Sequence, residues 1–183
     1  MPTILSHPAV AIGFRRWFGC ERRVFLAGAI GSILPDADVI GFKFGVPYAS
    51  TFGHRGFTHS ICFAVVVSLI LLLITRPQRR FAAFAFLFLC TMSHALFDAM
   101  TTGGLGIAFF SPFSNHRYFF PWRPIRVSPI GAASLQRLLP VLVSELKWVW
   151  LPMISAAIVR ELLPGTSRTD APAEARPPQS PRP

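Results

Sequence analysis

Charge is scarce in this chain. Only 14% of its 183 residues are Asp, Glu, Lys or Arg, against roughly 25% in a typical soluble domain. Hydrophobic residues make up 52%, and Phe alone occurs 18 times. Such a chain cannot cover itself with polar surface in water, which excludes an ordinary soluble domain and points to a membrane. The charge that is present is one-sided, with a formal net value of +10. No basic stripe on a polar face accompanies it, so no nucleic-acid partner is expected. The cations sit in short clusters between apolar runs, as the loops of membrane proteins do. Cysteine is equally thin: Cys20, Cys62 and Cys90 are odd in number, and two of them lie inside apolar runs. Without a CxxC pair, a disulfide framework and a thiolate metal site are both excluded. The opening "MPTILSHPAV" lacks a basic n-region, and no small-residue cleavage site follows an apolar core, so no removable signal peptide is expected.

Long apolar runs are what the chain has instead. Thr58 to Thr75 and Phe81 to Met100 each approach the ~20 residues of a spanning helix. The basic turn "RPQRR" between them forces an antiparallel helical hairpin. An earlier pair, "PAVAIGFRRWF" and "VFLAGAIGSIL", flanks a second basic turn, "GCERR". At roughly 11 residues each, these reach only ~17 Å, which fits half-spanning or re-entrant elements. Gly28 and Gly31, beside Ala27 and Ala29, would let these helices approach others closely. Leu138 to Val159 gives a further span, interrupted by Glu145, Lys147 and Pro152. Thr101 to Gly131, rich in Gly, Pro and aromatics, reads as an ordered interfacial loop, with Phe119, Phe120 and Trp122 in an aromatic belt. The expected fold class is therefore all-α: a polytopic helical membrane protein with two helical hairpins plus a C-terminal span. Residues 1–163 form the membrane-embedded domain, and 164–183 a Pro- and Arg-rich tail expected to be disordered.

The ionisable residues are not scattered over these elements. Counted back from the second basic turn, His59 lies ~24 Å away and His94 ~20 Å away, at one depth. Spacing of four puts His94 and Asp98 on one helix face. His7 precedes the first hairpin, and Asp36 and Asp38 follow it. These residues and His54 therefore converge on one end of the bundle, with both basic turns at the other. His116 reads as a solvated loop residue. Carboxylates and imidazoles in a membrane are costly and mark function. A His/Asp mixture without Cys suits a divalent metal ion, with Zn²⁺ the leading candidate.

The segments "LPDAD", "HRGFTHS", "SHALFDAMTTGG" and "FSPFSNHRYFFPW" resemble the YdjM-type membrane-bound metal-dependent hydrolases of bacterial inner membranes, over roughly residues 1 to 130. That family is itself distantly similar to zinc-dependent phospholipases C. The resemblance implies a metal centre built from His7, Asp36, His59, His94 and Asp98, with Asp38 and His54 as further ligands or supports. It also implies metal-assisted hydrolysis of a phosphoester or lipid-linked substrate, in which Asp38 or Asp36 takes the proton of the attacking water. Arg55, Arg117, Arg123 and Arg126 lie at the site end, and guanidinium binds phosphate bidentately. Membrane lipids, and a phospholipid or phosphodiester substrate, are the expected partners. Two alternatives stand beside this one: a non-catalytic membrane protein with a structural metal, and a metal or proton transporter. Finally, Arg15, Arg16, Arg22, Arg23, Arg76, Arg79, Arg80 and Arg160 share one side of the bundle with the tail arginines. Only Lys43, Arg55, Arg117, Arg123, Arg126 and Arg137 lie on the other. Cationic loops stay in the cytoplasm, so the tail is expected inside and the metal site facing outward.

Overall fold

Two antiparallel pairs of helices and a bent C-terminal helix carry the chain back and forth between a basic end and a His/Asp end. The computed structural model describes residues 2–128 and 135–163; the tail from residue 164, where disorder is expected, lies outside the described residues. Helices α1 (Ala9–Phe14) and α2 (Arg22–Gly31) form the first pair, and a 3₁₀ segment, Leu34–Phe44, continues α2. Helices α3 (Ile61–Thr75) and α4 (Arg80–Ala99) form the second pair, preceded by a 3₁₀ turn at Phe57–His59. The last span runs through α5 (Leu135–Glu145), a π-helical segment (Leu146–Trp150) and α6 (Leu151–Leu162). Among the described residues there is no strand, only two isolated bridges, Thr101 with Ile125 and Ile107 with Tyr118.

Three expectations need correction. The second half of the first pair is not short: Pro35 occupies the first turn of the 3₁₀ segment, where its missing N–H costs nothing. The path Arg22–Phe44 is therefore 23 residues long and apolar enough to cross a membrane. Its partner α1 is shorter than expected, at six residues. The run from Thr58 is also shorter as a helix, because Ser60 caps α3, its Oγ accepting from the Phe63 N–H at 3.1 Å. The 15 residues of α3 reach only ~22 Å, short of the ~30 Å hydrocarbon core. Residues 57–59 are wound separately, which frees His59 to turn inward. The other long apolar helices are Arg80–Ala99 and Leu138–Leu162.

Close approach of α2 to α4 builds the core. A Cβ at Gly28 would lie 2.6 Å from Phe86 Cε1, and one at Gly31 2.8 Å from Thr91 Oγ1. Val10, Ala11, Val24, Ala27, Phe86 and Leu87 are buried together there. At the basic end, Arg23 Nη2 donates to the Arg76 carbonyl at 3.0 Å, and the Gln78 N–H donates to Glu21 at 3.1 Å. Arg16 pairs with Glu161, and Trp17 Nε1 donates to the Ala156 carbonyl at 2.9 Å. Both basic turns and the end of the last span thus lie on one side of the bundle.

At the opposite end residues 101–128 of the long loop are ordered, as their composition suggests. Its backbone bonds to the end of α4 (Phe120 N–H to Ala99 O, 3.0 Å) and to the loop before α3 (Ala108 N–H to Arg55 O, 3.1 Å). It closes over the ends of the helices that carry the polar residues.

Candidate metal centre

Three elements supply the four side chains at the middle of the His/Asp end. Asp36 comes from the first turn of the 3₁₀ segment, His59 from the 3₁₀ turn before α3, and His94 and Asp98 from the last turns of α4. One ligand atom from each lies within 4.8 Å of every other, and all four residues are buried. His94 Nε2 is 3.3 Å from Asp36 Oδ1; His59 Nε2 is 3.8 Å from the same oxygen and 3.6 Å from Asp98 Oδ2. Donors ~2.1 Å from one tetrahedral ion would lie ~3.4 Å apart, so these separations are close to those of a common ligand shell. His7 joins at the edge. Its ring stacks on that of His94, 3.7 Å between centroids, and its Nε2 lies 4.0 Å from Asp36 Oδ2.

Hydrogen bonds outside this group fix which atoms face it. His94 Nδ1 lies 2.7 Å from the Ser32 carbonyl, one of the groups left without an intrahelical partner at the C-terminus of α2. An Nδ1–H donated there leaves the Nε2 lone pair pointing at Asp36. His59 Nδ1 lies 3.3 Å from Asp38 Oδ2, which orients its Nε2 in the same way. Asp36 and Asp38, two positions apart on a 3₁₀ helix, point to different sides of it. Asp36 faces the centre, whereas Asp38 supports it from behind.

The residues fit a cation. His7 Nδ1 and Nε2, both oxygens of Asp36, and Nε2 of His59 and His94 are buried without a hydrogen-bond partner among the described residues. Buried polar atoms are almost always satisfied, yet here the Nε2 atoms of His7, His59 and His94 all lie within 4.0 Å of an Asp36 oxygen. Among the described residues, three carboxylates, Asp36, Asp38 and Asp98, stand against one buried guanidinium, that of Arg55. The imbalance shows in the histidines. Burial pushes the His59 pKa down, but the adjacent carboxylates of Asp38 and Asp98 outweigh it and raise the value to about 9. A cation would satisfy the same carboxylates. Burial, then the neighbouring His94, hold His7 well below the ordinary histidine value, which keeps its ring neutral and its lone pair available.

Other residues singled out in the sequence take different places. Asp38 Oδ1 is 2.7 Å from His54 Nδ1, and its Oδ2 accepts from Thr58 Oγ1 at 2.5 Å and from the Arg55 N–H at 3.3 Å. It is a hub of hydrogen bonds and leaves little room for a proton from water. His54, buried, is its partner in a second group, Asp38, His54 and His59, behind the first. Arg55 is turned inward: Nε lies 3.0 Å from Asp98 Oδ2, Nη1 donates to the Gly103 carbonyl at 2.7 Å, and Nη2 donates to Thr101 Oγ1 at 3.0 Å. Gly104, at φ 92°, leaves space for that guanidinium; a Cβ there would clash with Nη1. Arg117 also works within the protein, donating to the His54, Tyr48 and Ser50 carbonyls at 3.1 to 3.2 Å. Arg123 is exposed, 4.8 Å from the centre of the Phe119 ring, and Arg126 and His116 are exposed as well.

Sequence reasoning did not single out Ser32, Thr58 and Thr101. The Ser32 contact is through a carbonyl, which every residue has, so no sequence signal marks it. Thr58 and Thr101 sit inside the quoted motifs, next to His59 and three residues after Asp98, and that adjacency was a usable signal.

The model of the YdjM inner membrane protein family matches residues 4–163. The Escherichia coli K12 protein named inner membrane protein YbcI is 43% identical over 160 residues, covering 83% of this chain and 92% of that protein. The uncharacterized protein YvsG of Bacillus subtilis 168 is 33% identical over 90 residues, 45% of this chain and 54% of that one. No solved structure matches significantly. With the family model spanning the hairpins, the His/Asp cluster and the last span, and with three helices long enough to cross a bilayer, this chain belongs to the YdjM inner membrane protein family and is a multi-pass inner-membrane protein.

Proposed function

We propose that this protein is a membrane-bound, metal-dependent hydrolase of a phosphoester or lipid-linked substrate. The observation that carries the proposal is the group Asp36, His59, His94 and Asp98, four buried ligands from three elements with their donor atoms within 4.8 Å. In this reading Asp36, His59, His94 and Asp98 hold the ion, with His7 at the edge of the group. The chemistry supplied there by a bound divalent cation, with zinc the leading candidate, is Lewis acidity, which makes an attacking water more acidic and stabilises charge developing on a phosphoryl oxygen. Structural zinc sites are built mainly from Cys, often with His; an all-His/Asp set favours catalysis.

Asp36 is the carboxylate placed to take the water's proton, because neither of its oxygens is engaged in a hydrogen bond. Asp38 orients His59 and His54 instead. Arg123, exposed beside the aromatic belt, is the arginine suited to a substrate phosphate; Arg55 and Arg117 shape the loops. A specific observation favours the structural-metal alternative: His7, His59, His94 and Asp98 are no more than 1% exposed, and two of the four candidate arginines, Arg55 and Arg117, are bonded within the fold. Turnover therefore requires the loops over the centre to move. The test is a panel of phosphodiesters, phospholipids and esters incubated with metal-loaded protein in detergent. Chelator-sensitive turnover that disappears in Asp36→Ala and falls in Arg123→Ala is the expected result. A metal-loaded protein inert across the panel would leave the structural role as the reading.

The outward-facing site is part of the same proposal. Its support is that Arg15, Arg16, Arg22, Arg23, Arg76, Arg79, Arg80 and Arg160 gather at the end away from the centre, as cytoplasmic loops do. In a cysteine-free background, a thiol reagent that cannot cross the membrane should label Asn115→Cys in intact cells and leave Gln78→Cys unlabelled. Both positions are exposed. The reverse pattern would put the centre on the cytoplasmic side.

A further inference from the structure

The last span supplies no ligand to the centre, yet it contains a carboxylate that the centre does not use. Glu145 is 1% exposed inside a 25-residue apolar span, a costly position for an ionisable group. Its hydrogen-bond partners among the described residues all come from the first residues of the chain. The Thr3 N–H donates to Oε1 at 2.5 Å, and Thr3 Oγ1 and Ser6 Oγ donate to Oε2 at 2.6 Å each. From the π-helical segment just beyond, Trp150 Nε1 donates to Ser6 Oγ at 3.0 Å. Val149, on the same segment, packs with Ala9. Ser6 precedes His7 and Ala9 lies two positions after it; His7 sits just outside α1, in a single turn closed by the Ala9 N–H on the Ser6 carbonyl at 3.2 Å. A π segment re-aims the residues it carries and is often found at functional sites; here it presents Trp150 to Ser6, one residue before the histidine, and Val149 to Ala9, two residues after it.

We propose that Glu145 is a positioning residue for His7: with Trp150 it clamps residues 3–6 so that the His7 ring is held against His94 and Asp36. The inference rests on the metal-centre reading above. It gives the C-terminal span, distant in sequence from every ligand, a direct mechanical role in the site.

The test uses the full chain purified in detergent. Its probes are the zinc dissociation constant, from competition with a chromophoric chelator, and the visible spectrum of the cobalt-substituted protein. Glu145→Ala should weaken zinc binding by about tenfold to a hundredfold, the range for supporting residues of metal ligands, and should change the cobalt spectrum. Glu145→Gln keeps the shape and an acceptor oxygen, so it should stay within about threefold of wild type and rescue the spectrum. The decisive variant is the double mutant His7→Ala/Glu145→Ala. If Glu145 acts through His7, the double mutant binds zinc no more weakly than His7→Ala alone. Additive losses in a variant that stays monodisperse and helical would overturn the proposal, as would wild-type zinc affinity in Glu145→Ala. A wild-type chain that holds no metal would overturn this inference together with the centre itself, which separates the two failures.

Discussion

Removing His94 or Asp98 is expected to empty the protein of metal. Wild-type protein purified without chelator should carry about one equivalent of zinc or a similar divalent ion. One is expected because the second group, Asp38, His54 and His59, is already tied by hydrogen bonds of 2.5 to 2.7 Å around Asp38. His94→Ala removes the one imidazole held rigidly by a backbone carbonyl, at 2.7 Å from Ser32. Asp98→Ala removes a buried carboxylate facing His59 across 3.6 Å. Either change should drop metal content after gel filtration to a small fraction of wild type, measured by elemental analysis. Asp38→Asn should cost less, about tenfold to a hundredfold in affinity, because Asp38 acts through His59. Full occupancy in the double mutant His94→Ala/Asp98→Ala would refute the centre.

The depth of the polar residues was legible because rise per residue is nearly constant in a helix. Counting from a basic turn is enough to bring His59 level with His94, and a spacing of four puts Asp98 beneath it. The path of the chain around Pro35 was less legible. A proline can end a helix or begin a new segment, and which happens is decided by the surrounding contacts. Here Asp36 has to reach His94, and the chain continues as a 3₁₀ helix through Phe44. The direction of Arg55 could not be read at all. Its φ of 65°, a region few non-glycine residues adopt, and its bonds to Thr101 and Gly103, 46 and 48 positions away, are tertiary facts. Glu145 was visible in the sequence, but only as an interruption of a span. Its partners, Thr3 and Ser6, lie at the other end of the chain and carry no pattern that pairs them with it.

The inward turn of Arg55 has a large expected consequence. As a substrate-binding arginine it could be replaced with little effect on folding. As placed, it is 1% exposed, with Nε 3.0 Å from the buried Asp98 carboxylate and two further bonds to the loop that closes the site. Arg55→Met removes one partner of a buried ion pair, which typically costs about 3–5 kcal/mol because the remaining charge stays in a poor solvent for it. The loss should be greatest in metal-stripped protein, where no bound metal ion adds to the positive charge around Asp98. Arg55→Lys should recover little, since a single ammonium cannot reach a carboxylate, a carbonyl and a hydroxyl with the geometry of a planar fork. Arg123→Ala, at an exposed position, should change stability by no more than about 0.5 kcal/mol. Denaturant unfolding in micelles, followed by helical circular dichroism with and without zinc, reads all three. An Arg55→Met protein as stable as wild type but impaired in substrate affinity would return Arg55 to the substrate role.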